Sequence, residues 1–205
     1  MFELVLGTHN PNKLIELREL MPPDLVRLVS LAELDDALEV EETGTTFLEN
    51  ATLKAVEQAK HLNRWVLAED SGLSVDALKG APGVYSARFS GAAATDQSNN
   101  DLLLEKLADV PTERRGAHYT CQICLSDPQG KLRLQTKGEC HGVIGREPSG
   151  TNGFGYDPLF IVPEMHQTFG ELGSVVKQAI SHRARALRQF LPAFLAFIDQ
   201  DQPVG

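Results

Sequence analysis

The order of apolar runs, turn residues and helical periodicities predicts an α/β fold, and three observations carry that prediction. Phe2 to Leu6 is a short apolar run closed by Gly7 and Thr8. Leu14, Leu17, Leu20 and Met21 then recur at helical spacing, and residues 25–29 form a second short apolar run. Strand, loop, helix and strand at this spacing open a β-α-β arrangement.

The elements follow in order. A polar, proline-containing loop at residues 9–12 leads into the first helix, and Pro22-Pro23 stops it. Residues 39–45 are an acidic, turn-rich link. Thr46 is placed to cap a second helix, with Glu49 three residues on as its capping-box partner. Phe47, Ala51, Ala55, Ala59 and Leu62 mark the apolar stripe of that helix. Residues 65–68 read as a buried strand closed abruptly by Glu69-Asp70-Ser71-Gly72, with residues 73–78 extending it after a bend. Residues 80–95, rich in Gly, Ala and Ser, read as a long irregular loop, and loops of that length are usually functional or mobile. Residues 96–107 read as a helix. Residues 117–126 and 131–144 read as two long strands joined at Asp127-Pro128-Gln129-Gly130, a hairpin signal. A strand at residues 160–162 and an amphipathic helix at residues 180–198, with Pro192 inside it, complete the chain.

The bulk composition narrows the function classes. A chain of 205 residues can hold one well-buried core or two lobes sharing a sheet. With 42% hydrophobic and 23% charged residues, it reads as an ordinary globular protein. No run approaches the roughly 18–20 apolar residues of a membrane span. The N-terminus lacks a basic flank before its apolar run, so it reads as a strand and the expected location is cytoplasmic. The formal net charge of −9 would repel a nucleic-acid polymer while permitting a small anion held by a few focused cations. Cys121, Cys124 and Cys140 are an odd count, which argues against a disulfide framework. Cys121 and Cys124 lie in HYTCQICLS, a strand pattern, where residues three apart point to opposite faces and cannot share a zinc ion.

Three constellations carry chemistry. In Gly7-Thr8-His9-Asn10-Pro11-Asn12-Lys13, a strand feeds a polar loop into a helix start, directing backbone N–H groups, a dipole end and the Lys13 charge at one spot. This suits a phosphate, although the spacing is not that of a Walker A loop or a dinucleotide fingerprint. Asp70 follows an apolar strand directly, where α/β folds place their sites. With Glu41 or Glu42 from another loop it offers hard oxygen ligands suited to Mg²⁺. The segment GTNGFGYDPLF, a spacer and KQAISHRARAL supply Phe154, Tyr156, Asp157, Lys177, His182 and Arg183: a flat face, an acceptor and donors fit to grip a heterocyclic base. Ser181 is placed to cap the last helix, which would put His182 and Arg183 in its first turn. Cations there oppose the helix dipole by roughly 0.3–1 kcal/mol each, so they favour a ligand over helix stability.

Together, THNPNK, EETGTTFLENA, EDSGLSVDAL, GAPGVYSARFSG, GTNGFGYDPLF and KQAISHRARAL resemble the inosine/xanthosine triphosphate pyrophosphatases, in order from about residue 4 to residue 190. The resemblance implies one domain over residues 1–205, an elongated mixed β-sheet flanked by helices, with two lobes and a central cleft. It implies a house-cleaning hydrolase that converts ITP, dITP, XTP and dXTP to the monophosphate and pyrophosphate with Mg²⁺, as a homodimer. By motif it assigns phosphate contacts to Thr8, His9, Asn10, Asn12 and Lys13, with Lys54 assisting. Asp70 and Glu42 would handle Mg²⁺ and the attacking water, and Ser71 would touch substrate. Phe154, Gly155, Tyr156, Asp157, Lys177, His182 and Arg183 would form the base pocket. The chain departs from the usual Asp-Asp-Ser-Gly in having Glu69 first, which puts any metal role of that acid in doubt. A carboxylate base at Asp70 implies activity that rises toward alkaline pH. Donors from His182 and Arg183 would favour the 6-oxo purines over adenine, whose amino group leaves them unpaired. A nucleotide sensor without catalysis and an enzyme for modified pyrimidine nucleotides are the alternatives.

Overall fold

The computed structural model describes residues 2–201. Seven strands form one mixed sheet in the order β2-β1-β3-β4-β5-β6-β7. In chain order the elements are β1 (Phe2–Leu6), α1 (Pro11–Leu20), β2 (Val26–Ser30), α2 (Phe47–Leu62), β3 (Val66–Val75), α3 (Asp96–Lys106), β4 (Gly116–Ser126), β5 (Leu132–Ile144), β6 (Phe160–Val162), β7 (Gln167–Thr168), α4 (Ser174–Ile180) and α5 (His182–Asp201). β1 pairs in parallel with β2 and β3, whereas β5–β6 and β6–β7 are antiparallel. The expected α/β class and mixed sheet flanked by helices are what the chain adopts.

The chain divides into two compact units, and the divisions fall within or beside β3, β4, β5 and α5. One comprises the chain up to Asp70, Cys121–Gly138 and the chain from Arg183. The other comprises Ser71–Thr120 and Glu139–His182.

Strand alternation organises the first unit. Leu4, Leu6, Leu67, Cys121, Ile123 and Leu125 point to one face, where Leu17 of α1 and Leu187, Phe190 and Phe194 of α5 cover them. Residues of the opposite parity, Val5 and Val66 with Ala59, and Ala68 and Cys124 with Ala51 and Ala55, pack against α2. The two thiols of the Cys-x-x-Cys therefore lie in different clusters. α2 begins at the expected capping box, with Thr46 accepting from Glu49 N and Glu49 returning to Thr46 N. Its alanines let the helix lie close to the sheet.

In the second unit, Leu73, Val75, Ala117, Tyr119, Cys140 and Ile144 share a core with Leu103 of α3, Phe160, Phe169 and Leu172, and Val176 and Ile180 of α4 pack against it.

Three expectations need correction. β3 is one continuous strand, not two pieces about a bend at residues 69–72, because Glu69 and Asp70 are buried and satisfied by cations instead of turning out to solvent. The loop at residues 80–95 contains a 3-10 turn at Gly83–Arg88. The last helix starts at His182, with His182 and Arg183 in its first turn as expected, and not at residue 180, which ends α4; Ser181 between them is extended (φ −65°, ψ 159°). β7 and α4 were not anticipated.

Candidate active site

The first unit carries two charge clusters, one on each face of β3. Glu69 and Asp70 are consecutive, so their side chains leave the strand in opposite directions. Asp70 Oδ1 accepts from Lys54 Nζ at 2.9 Å and Oδ2 from Asn50 Nδ2 at 3.4 Å, both from α2. Lys54 Nζ also reaches Glu42 Oε1 at 2.8 Å. Burial opposes the Lys54 charge, but Asp70 and Glu42 overcome it and raise its pKa. Burial likewise pushes the Asp70 carboxyl above its ordinary value, against the pull of Lys54 and Lys13. Glu41 is exposed, and Glu42 is the acid that meets Lys54.

On the other face Glu69 gathers Lys13 of α1, Arg183 of α5 and Cys121 of β4. Burial works against the Glu69 charge, yet Arg183 and Lys13 hold its carboxyl well below the usual range. Arg183 also pairs with Glu16. Burial and the neighbouring Glu69 carboxylate push the Cys121 thiol well up, so it serves as a neutral donor.

The loop before α1 is bonded internally. Asn10 caps the helix, its Oδ1 accepting from Asn12 N at 3.0 Å and Lys13 N at 3.3 Å, and Asn10 N donates to Thr8 Oγ1 at 3.2 Å. The amides of Asn12 and Lys13 are thus taken by Asn10 instead of standing open as the sequence suggested. His9 and Asn12 are exposed.

The second unit gathers the aromatic segment. Asp157 Oδ2 accepts from Lys177 Nζ at 2.6 Å and Phe154 N at 2.9 Å, while Oδ1 accepts from Tyr119 Oη at 3.4 Å. Lys177 Nζ lies 4.8 Å from the Phe154 ring centroid, and His182 stacks on Tyr119 with centroids 4.7 Å apart at 10°. Burial and the nearby Asp157 raise the Tyr119 pKa well above its ordinary value, keeping the phenol protonated and donating. Gly153 and Gly155 have φ of +76° and +62°, left-handed values that set Phe154 between two bends only glycine adopts without strain.

Phe154, Asp157, Lys177 and His182 therefore come together. Tyr156 differs: it is 3% exposed in the core, and its hydroxyl donates to Ser86 O at 2.8 Å. Arg183 differs also, its guanidinium sitting with Glu69 and Glu16 in the first unit. Ser71 is half-buried in β3.

Sequence reasoning passed over Tyr119, Asn50, Asp96 and Asn100. Asp96 Oδ2 accepts from Gly155 N at 2.7 Å, and Asn100 Nδ2 donates to Gly155 O at 3.0 Å, so α3 holds one loop residue by both its backbone groups. The spacing of these two residues, four apart on one helix face, was the available signal. Among the described residues no group of three His, Cys, Asp or Glu side chains is close enough to hold a metal ion by itself.

A model of the Ham1 family matches residues 4–193. A dITP/XTP pyrophosphatase of Rhodopirellula baltica is 58% identical over 98% of this chain and 97% of its own. One from Bacillus subtilis is 46% identical over 92% and 95%. The solved structure of a HAM1 protein from Coxiella burnetii, 40% identical, superposes with a TM-score of 0.88 over 96% of this chain and 100% of that one. The chain belongs to the Ham1 family.

Proposed function

We propose that this protein hydrolyses ITP, dITP, XTP and dXTP to the nucleoside monophosphate and pyrophosphate, removing non-canonical purines from the nucleotide pool. Family membership and the dITP/XTP pyrophosphatase names of relatives at 46–58% identity support the reading. The observation that carries the chemistry is the convergence of Asp70 and Glu42 on one ammonium, Lys54 Nζ, at 2.9 and 2.8 Å.

That donor set fits Mg²⁺. The Asp70 and Glu42 carboxylates supply hard oxygen ligands, and Mg²⁺ takes its remaining positions from water and substrate phosphates. When bound, the ion would neutralise phosphate oxygens and polarise a water. Asp70 orients that water and accepts its proton as the water oxygen bonds to the α-phosphorus and the bond to pyrophosphate breaks. Thr8, His9, Asn10, Asn12 and Lys13 hold the phosphates, with Lys54 adding positive charge, and Ser71 touches the substrate.

The base is assigned to Phe154, Gly155, Tyr156, Asp157, Lys177, His182 and Arg183. Phe154 offers a stacking face and a donor from His182 suits a 6-oxo group, while the Arg183 guanidinium is engaged with Glu69 and Glu16. An adenine amino group would meet that donor unpaired, which costs affinity. Purine nucleoside triphosphates are the expected partners, and the same resemblance supports a homodimer working in the cytoplasm.

The test is pyrophosphate release from dITP, XTP, dGTP and dATP, with Mg²⁺ and with EDTA. Metal-dependent release from dITP and XTP alone is the expected result. Tight dITP binding with no turnover would leave a sensor in place of an enzyme.

A further inference from the structure

We infer that Glu69 is a positioning residue that holds the Lys13 ammonium ready for the triphosphate, and is not a ligand of the cation. The inference rests on the reading above, in which Lys13 grips phosphate. Glu69 is the acid at which this chain departs from the usual Asp-Asp-Ser-Gly, so its task cannot be taken over from the family motif.

The geometry separates it from the metal-type pair. Glu69 takes its partners from α1, β4 and α5, while Asp70 takes its own from α2, as strand alternation requires of consecutive residues. Both Glu69 oxygens are occupied. Oε1 meets Lys13 Nζ at 2.9 Å and Arg183 Nη2 at 3.1 Å, and Oε2 meets Arg183 Nε at 3.0 Å and Cys121 Sγ at 2.9 Å. A carboxylate whose side chain is 1% exposed, with fixed donors on each oxygen, presents no lone pair to an ion.

What the arrangement accomplishes is preorganisation. The bidentate grip of Arg183 on Glu69 is rigid, because a guanidinium fork matches a carboxylate in plane. The carboxylate so fixed holds the Lys13 side chain, itself only 15% exposed, in one place before substrate arrives. A flexible lysine would have to be ordered at the moment of binding, and that cost would appear as weaker binding.

The experiment is a double-mutant cycle on dITP hydrolysis with Glu69→Gln, Lys13→Met and the pair, together with Mg²⁺ affinity of the substrate-free protein by calorimetry. Glu69→Gln is expected to raise KM roughly tenfold with a smaller change in kcat. Its Mg²⁺ affinity should equal the parent's, while Asp70→Asn weakens it. Adding Glu69→Gln to Lys13→Met should raise KM no further. Glu69→Asp, which keeps the charge, should bring KM back to within about threefold of the parent. If Glu69→Gln does not fold, Glu69→Asp still reads the Mg²⁺ affinity, which a shortened metal ligand would lose. Independent, multiplying effects of the two substitutions, or weakened Mg²⁺ binding in either Glu69 variant, would overturn the inference. An unchanged KM in Lys13→Met would instead remove Lys13 from the phosphate site, and the role of Glu69 with it.

Discussion

Lys177 Nζ donates to Asp157 Oδ2 at 2.6 Å and at the same time lies 4.8 Å from the centroid of the Phe154 ring. One buried ammonium thus fixes the loop's carboxylate and covers one face of its aromatic ring. Such a cation–π contact holds the ring without spending its other face. That face is where a purine would stack, and base–aromatic stacking contributes about 1–3 kcal/mol. Phe154→Ala is therefore expected to raise the KM for dITP by roughly 5- to 150-fold, with kcat less affected. Steady-state kinetics decide it: a KM within about twofold of the parent would remove Phe154 from the base site.

Asp70 sits where burial raises its pKa and Lys54 restrains it. Asp70→Asn keeps the shape and the hydrogen bond from Asn50 but removes the charge and the proton acceptor. Turnover of dITP should fall by roughly 10²- to 10⁴-fold, the usual worth of a positioned base. The loss should persist at saturating substrate, since the chemical step and not nucleotide binding is impaired. Near-normal turnover would end the assignment of Asp70 as the base.

Most elements were legible because each rests on a local rule. The Thr46–Glu49 capping box, the alanine stripe of α2 and the turn at residues 127–130 are short-range signals, and the elements formed where they pointed. β3 was misread for a physical reason. Two adjacent acids look like a strand's end, and only distant partners make their burial tolerable: Lys54 sixteen residues before Asp70, and Arg183 114 residues after Glu69. The same limit applied to Arg183. Its place at the start of α5 was legible, but its engagement with Glu69 and Glu16 depends on pairing that no local pattern encodes. Tyr156 reads as a ligand-facing aromatic from its neighbours, yet the backbone carbonyl of Ser86, seventy residues away, holds its hydroxyl.

Asn100, which sequence alone did not raise, holds the backbone of the loop that carries Phe154. It is buried, and its amide donates to Gly155 O while Asp96 accepts from Gly155 N. These two bonds hold the peptide groups on either side of the residue following Phe154. Asn100→Ala removes one of them, a loss of about 1 kcal/mol for a neutral bond. The loop should become less well ordered, raising the KM for dITP by roughly fivefold while Mg²⁺ affinity of the free protein stays at the parent value. Equal KM values would show that α3 supports the fold and not the base loop.

The hairpin between β4 and β5 gives a test by pH that is separate from the site. Asp127 Oδ1 accepts from Gln129 N at 3.0 Å and Lys131 N at 2.9 Å, and Oδ2 meets Arg133 Nη1 at 3.1 Å. Burial works to raise the Asp127 pKa, but the backbone amide of Lys131 and the side chain of Arg133 overcome it and lower the value. A carboxyl whose pKa is lower in the native state than in the unfolded chain, at about 3.9, stabilises the fold above that pH. The stabilisation is lost as pH falls through the native value. Asp127→Asn should therefore cost about 2 kcal/mol at neutral pH, the scale of hydrogen bonds to a charged group. For a chain of this length that is a Tm lower by roughly 4–8 °C. The gap between parent and variant should narrow steadily below about pH 4 as the parent's carboxyl takes up its proton. Thermal unfolding followed from neutral pH down to about pH 3 measures both Tm values, and a gap that stays constant across that range would show that the charge on Asp127 contributes nothing to the turn.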